Sequence, residues 1–241
     1  MIAILKKEIH TFFSNATGYI VIGIFLIMNG LFLWILPGEF NVTDSGYANV
    51  DGLFYFAPWF FMFLCPAITM RMFAEEKQTG TWDLLITKPV SKLKIVLGKY
   101  FAGLLLVLLA LIPTVLYYFS VAYLAEPEGN IDSGAFWGSF IGLVFLAVVF
   151  NAVGVFASSL TNNQIISFIV AVVISFFLFY GFELSAGLFS MDEFVASFKN
   201  LGIQSHYKSM SRGVIDSFDL LYFVIVSFIF LFFTVWRIKK S

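Results

Sequence analysis

Hydrophobic residues fill this chain in long blocks, and the wide intervals between charges predict its elements. Between His10 and Glu39 lie 28 uncharged residues, between Asp51 and Arg71 19, between Lys99 and Glu126 26, and between Asp219 and Arg237 17. Each interval suits one helix crossing a hydrocarbon layer of about 30 Å, which takes roughly 17 to 25 residues. The 50 uncharged residues from Asp132 to Glu183 would form a single rod of about 75 Å at ~1.5 Å per residue, so they must fold back. The polar run Thr161-Asn162-Asn163-Gln164, following Ser158-Ser159, marks the turn. The pattern therefore predicts an all-α, polytopic membrane protein. It has six spans, at about 15–36, 53–73, 100–124, 135–159, 164–183 and 218–236, in one transmembrane domain covering 1–241.

Composition agrees, with 60% hydrophobic and 12% charged residues in 241. That is about half the charge share of a soluble domain, too little to coat a water-exposed surface. A net charge of -1 offers no basic excess for nucleic acid. The first apolar run lacks a small-residue cleavage pattern and is expected to remain as a span.

Placement of the charges sets the orientation. Lys6, Lys7, Arg71, Lys77, Lys88, Lys92, Lys94, Lys99, Arg237, Lys239 and Lys240 fall on one side, with Glu8, Glu75, Glu76 and Asp83; 11 minus 4 makes that side +7. The opposite side has Lys199, Lys208 and Arg212 against 11 acids, or -8. The excess of Lys and Arg places both termini in the cytoplasm.

The connections carry further signals. Ile2, Leu5, Ile9 and Phe12 recur at helical spacing, as in a short helix lying in the headgroup region; a plain basic anchor is the simpler reading. In the inner connection from Arg71 to Lys99, Thr81 can cap a short helix containing Trp82, Asp83, Leu84, Leu85 and Ile86, and Ser91 can cap the next. Its bulky apolar residues either sink into the bilayer interface or dock a cytoplasmic partner. Outside, Ser190-Met191-Asp192-Glu193 matches a capping box before Phe194, Val195 and Phe198, which predicts re-entrant helices before span six. Gly134, Gly138 and Gly142 form a flat strip for close helix packing, within the chain or between subunits. Pro58, Pro66 and Pro113 can kink spans two and three. Asn29, Thr69 and Asn151 are the most interior polar residues, and the absence of intramembrane charge speaks against an ion-coupled pump.

No catalytic or cofactor constellation emerges. Gly98-Lys99 lacks the P-loop's upstream glycine, since position 93 is Leu. Ser205-His206 has no nucleophile elbow around it. His10 and His206 lie on opposite sides of the membrane, so no metal site is expected, and Cys65 has no partner thiol. What emerges is a six-span protein without its own energy source and with a partner-shaped inner loop.

The stretch from Glu76 to Ser91, EKQTGTWDLLITKPVS, resembles the signature after the second span of ABC-2 type transporter permeases: an acid, Gly-Thr, a second acid, a Leu pair, then Pro-Val-Ser. The amphipathic start, six spans and long outer connection sit where that family has them. The resemblance implies a half-transporter pairing with a second permease, identical or related, above two copies of a separate ATPase. Glu76, Gly80, Thr81, Trp82, Asp83 and Leu85 would then form the coupling helix that contacts the ATPase, with Pro89 and Ser91 setting the turn into span three. More narrowly, the segment from Ser205 to Asp216 and the Phe-rich finish resemble the permease associated with gliding motility in Bacteroidetes-type bacteria. That match implies the inner membrane and an auxiliary subunit with an outward-facing domain. Copper-maturation permeases share part of the signature, and a scaffold that recruits an ATPase without transport is the remaining reading.

Overall fold

The computed structural model describes residues 1–186, 199–213 and 216–240, and among them every regular element is helical. Helix α1 (Ile2–Phe13) precedes span one, which consists of α2 (Ala16–Gly30) and a π-helical turn at Leu31–Ile35. Span two joins α3 (Asp51–Thr69) to α4 (Arg71–Gln78), and the short α5 (Thr81–Ile86) follows. Span three is α6 (Lys92–Leu111), a 3-10 turn at Ile112–Thr114 and α7 (Val115–Leu124). Span four is α8 (Ser133–Leu160), and span five combines α9 (Gln164–Phe176), a π-helical turn at Phe177–Gly181 and α10 (Phe182–Ala186). Helix α11 (Ile203–Met210) then leads to span six, α12 (Ser217–Lys240). Six of these runs are long and apolar enough to cross a membrane.

The predicted hairpin turn lies at Thr161–Asn163, where the Asn163 side chain accepts from Ile165 N at 2.8 Å and so caps α9. Asp132 caps α8 in the same way. Pro58 and Pro66 lie within α3, which runs through both, whereas Pro113 coincides with the tighter turn of span three. The inner connection is shorter than the charge pattern suggests. Arg71–Gln78 extends span two and Lys92–Lys99 begins span three, leaving Thr79–Ser91 as the hairpin. The predicted helix at Met191–Phe198 lies outside the described residues.

Span four is the hub, with 67% of its apolar stretch inside the protein, against 22% for each of spans one, five and six. Its small residues make this possible. A Cβ on Gly154 would overlap Thr69 Oγ1 and lie 3.0 Å from Thr69 Cβ, so spans two and four touch there almost backbone to backbone. In lipid every backbone polar group needs a partner. Asn151 Nδ2 donates to Tyr100 O at 2.8 Å while Tyr100 Oη donates to Val148 O at 3.2 Å, a reciprocal clasp between spans three and four. Gly154→Ala should lower stability by about 1 to 3 kcal/mol through overpacking. Combining it with Thr69→Ala should recover part of that loss, read as midpoints of unfolding in mixed micelles.

The glycine strip packs within the chain, against α11. A Cβ on Gly138 would come within 2.7 Å of Gly213 Cα and 2.9 Å of Met210 O, and one on Gly142 would meet the Tyr207 ring at 3.3 Å. Gly134 continues the contact, since a Cβ on Gly213 would lie 3.2 Å from Gly134 C. Ser205 and His206 lie within α11. His206 Nδ1 lies 2.7 Å from Asp219 Oδ1, its Nε2 lies 2.9 Å from Asn200 O, and its ring stacks on Tyr222. Its neighbours are thus span six and a backbone carbonyl, and Ser205 Oγ donates to Gly202 O.

Candidate functional site

At the end of the bundle that carries both termini, α4, α5, α1 and the start of α6 assemble a charged junction. It begins with Ser158 of span four, whose Oγ donates to Met70 O and accepts from Phe73 N and Ala74 N at 3.0 and 3.1 Å. The hydroxyl satisfies orphan donors in the first turn of α4 and fixes where the helix emerges from the bundle. Lys77 Nζ, bonded to Ser159 O, adds a second tie.

Lys99 sits at the centre, fully buried. Its ammonium contacts Glu8 Oε1 at 2.7 Å and Glu76 Oε2 at 2.9 Å, and donates to Met72 O. The Glu76 Oε2 contact is an ion pair without hydrogen-bond alignment. Lys7 closes the cluster by bonding Glu76 Oε1. Burial works against the Lys7 ammonium, but the Glu76 hydrogen bond and the charges of Glu76, Glu8 and Glu75 outweigh it and hold its pKa above that of an ordinary lysine. Two cations and two carboxylates thus join α1, α4 and α6. A cavity of about 220 Å³ opens beside them, bordered by Arg71, Glu75 and Thr81.

This cluster shifts the predicted face of α1, of which Ile9 and Phe12 do pack against the core. Ile4 is the buried residue and Glu8 points inward, while Ile2 is 66% exposed. Helix α1 packs on α6, where Gly98 leaves room: a Cβ there would lie 3.1 Å from Ile4 Cβ. The paired charges set the roll of the helix, because a buried ammonium needs its carboxylates.

The short helix α5 hangs from this junction. Gly80, at φ +72, takes the left-handed turn that reverses the chain, and Thr81 is the first helical residue rather than its cap. Thr81 Oγ1 donates to Glu76 O at 3.4 Å. Trp82 is buried, packing edge-on against Phe73 with ring centroids 5.7 Å apart, and Lys99 Nζ lies 5.1 Å from the centroid of Phe73. Leu85 is half-buried, and Asp83, Leu84, Ile86, Lys88 and Pro89 are exposed. Ser91 caps α6, accepting from Lys94 N.

Of the contact residues that the family resemblance implied, Glu76 and Trp82 therefore face the protein's own interior. A buried ring and a doubly paired carboxylate hold α5 in place. The outward apolar surface is Leu84, the first of the signature's Leu pair and 67% exposed, and Ile86, 37% exposed. Glu8 and Lys99 were likewise missed, being read as topology charges. The available signal was that Lys99 shares a helical face with Ile95, Val96 and Gly103.

The interior polar residues do not form one group. Asn29 and Thr69 donate to carbonyls of their own helices, Phe25 O and Cys65 O. Thr69 meets span four at Gly154, one turn from Asn151 on that span, and Asn29 Oδ1 is buried without a hydrogen-bond partner.

These features define a polytopic α-helical membrane protein that presents a short helix on a charged hinge at its terminal end. The chain belongs to the ABC-2 family of transporter proteins, which it matches from residue 2 to residue 240. It is a membrane subunit of the ABC transporter class, and that family implies an ABC ATPase as partner. Among curated proteins none matches it.

Proposed function

We propose that this chain is the transmembrane half of an ABC-2 transporter, seated in a bacterial inner membrane with both termini in the cytoplasm. Two copies, or one with a related permease, enclose the pathway, and two ATPase subunits dock beneath on α5. The observation that carries this reading is the division of α5. Its inner side, Trp82, is tied through Phe73 to Lys99 and so to α1 and span three, while Asp83, Leu84, Ile86 and Lys88 face outward. A push on the outer side has a route into spans two and three and into α1. The +7 charge on the terminal side supports the orientation.

Leu84→Asp with Ile86→Asp removes the outward apolar anchors without touching the buried ones. The variant should insert and elute as folded protein yet fail to retain its ATPase in mild detergent. Wild-type stoichiometry in the co-purified complex would sink the docking assignment, and transport or motility sustained by an ATP-hydrolysis-dead partner would favour a passive scaffold.

The narrower reading is a gliding-motility permease with an auxiliary subunit bearing an outward-facing domain, supported by the resemblance from Ser205 to Asp216. Inactivation in the host should abolish surface gliding and leave copper-enzyme maturation intact; the reverse outcome assigns the copper-type alternative.

A further inference from the structure

The charge pattern leaves three basic residues, Lys199, Lys208 and Arg212, on the face remote from the termini, among 11 acids. All three border one cavity of about 460 Å³ between the end of span five and α11. One carboxylate, Glu183, lies among them, 3.3 Å from Lys208 Nζ. Among the described residues, no carboxylate lies within ion-pair distance of Lys199 or Arg212. Cations dispersed over an acidic face would pair with its acids, whereas cations gathered at one hollow repel one another. Their convergence suits an anion. Ser205, Lys208, Ser209 and Arg212 follow helical spacing along one side of the chain, so two hydroxyls stand beside the charges on the cavity wall.

A second cavity, of about 350 Å³, adjoins the first and shares Phe179, Gln204 and Lys208 with it. Its wall is aromatic: Phe54, Tyr55 and Trp59 from span two, Phe179 from span five and Tyr207 from α11. Asp51 is its one carboxylate. At the boundary, Gln204 Oε1 is buried with no hydrogen-bond partner, a state that costs free energy unless a donor arrives. A cationic mouth therefore opens beside an apolar chamber between spans two, four and five.

We propose that these joined cavities bind an anionic amphiphile. Its phosphate or carboxylate sits against Lys199, Lys208 and Arg212, where the guanidinium can engage two oxygens at once. Its apolar part lies against Trp59 and Phe179, where burial of aromatic and aliphatic surface supplies affinity. The proposal rests on the permease reading only for what such binding serves.

Titration of the purified full-length chain in neutral detergent, followed by native mass spectrometry, tests it without any ATPase. Dioleoylphosphatidylglycerol should bind at least about tenfold more tightly than dioleoylphosphatidylcholine, which has the same chains and no net charge. The variant carrying Lys199→Gln, Lys208→Gln and Arg212→Gln changes only exposed side chains and should lose that preference, as should Arg212→Gln alone in part. Lys6→Gln with Lys88→Gln, at the opposite end, should retain it. Inorganic phosphate should compete poorly, because it leaves the chamber empty. Equal binding of the two lipids, or an unchanged preference in the triple variant, overturns the proposal; competition by phosphate as strong as that by the anionic lipid reduces the site to one for ions and overturns the amphiphile. Since no ATPase enters, either result leaves the docking role of α5 to stand or fall on its own experiment.

Discussion

Lys99→Met should destabilise the folded chain by about 3 to 5 kcal/mol, the usual consequence of removing one partner from a buried charge cluster. Methionine fills much of the same volume, so the loss is electrostatic. Without the ammonium, Glu8 and Glu76 are brought together at the junction with only Lys7 to offset them, and Met72 O loses its donor. The effect should survive added salt, because a fully buried group is screened much less than a surface pair. Unfolding in mixed micelles followed by circular dichroism gives the difference. Adding Glu8→Gln and Glu76→Gln to Lys99→Met should restore most of it, since neutral amides no longer repel. A Lys99→Met variant that unfolds at the wild-type midpoint would show that the cluster contributes nothing to holding α1 and α4 on span three.

Trp82→Ala should leave the bundle intact and release α5. Large-to-small changes at buried Trp cost about 3 to 5 kcal/mol, and here the lower end applies because the ring rests mainly on Phe73 at the protein's edge. A six-residue helix cannot persist alone, so the loss falls on local docking. Backbone amides of Thr81–Ile86 should exchange on the order of 100-fold faster, while those of span four stay protected. The variant should lose ATPase capture to the same degree as Leu84→Asp with Ile86→Asp, though by disorder rather than by a changed surface. Unaltered exchange in α5 would mean that Trp82 does not anchor it.

The number of spans, the hairpin after Leu160 and the cap at Ser91 were legible because they depend on local chemistry. Hydrocarbon rejects charge, so a gap between charges is a length, and a length is a span. The Glu76–Ser91 signature was legible as a motif, and Ser91 keeps the capping role that its residue type predicts, whereas Thr81 does not. Which side of that motif faces outward was not legible. Trp82 and Leu84 are both bulky and apolar, and only the position of Phe73 beneath Lys99 decides that Trp82 turns inward. The same holds for α1, where hydrophobic spacing selected Ile2, Leu5, Ile9 and Phe12 and only Ile9 and Phe12 pack on the core, while Glu8 turns inward through the ion pairs of Lys7 and Glu8 with residues 69 and 91 positions away along the chain.

The sequence by itself thus determined an all-helical membrane protein with six spans and a membrane-end motif of ABC-2 type. Tertiary structure alone decided that span four is the hub, that the glycine strip receives α11, and that Lys99 is a buried tie rather than a topology charge. It alone gathered Lys199, Lys208 and Arg212 at one cavity. The division has a physical cause: exclusion of charge from lipid acts on each segment separately and is written along the chain, whereas the orientation of a face depends on partners that only folding brings within a few ångströms.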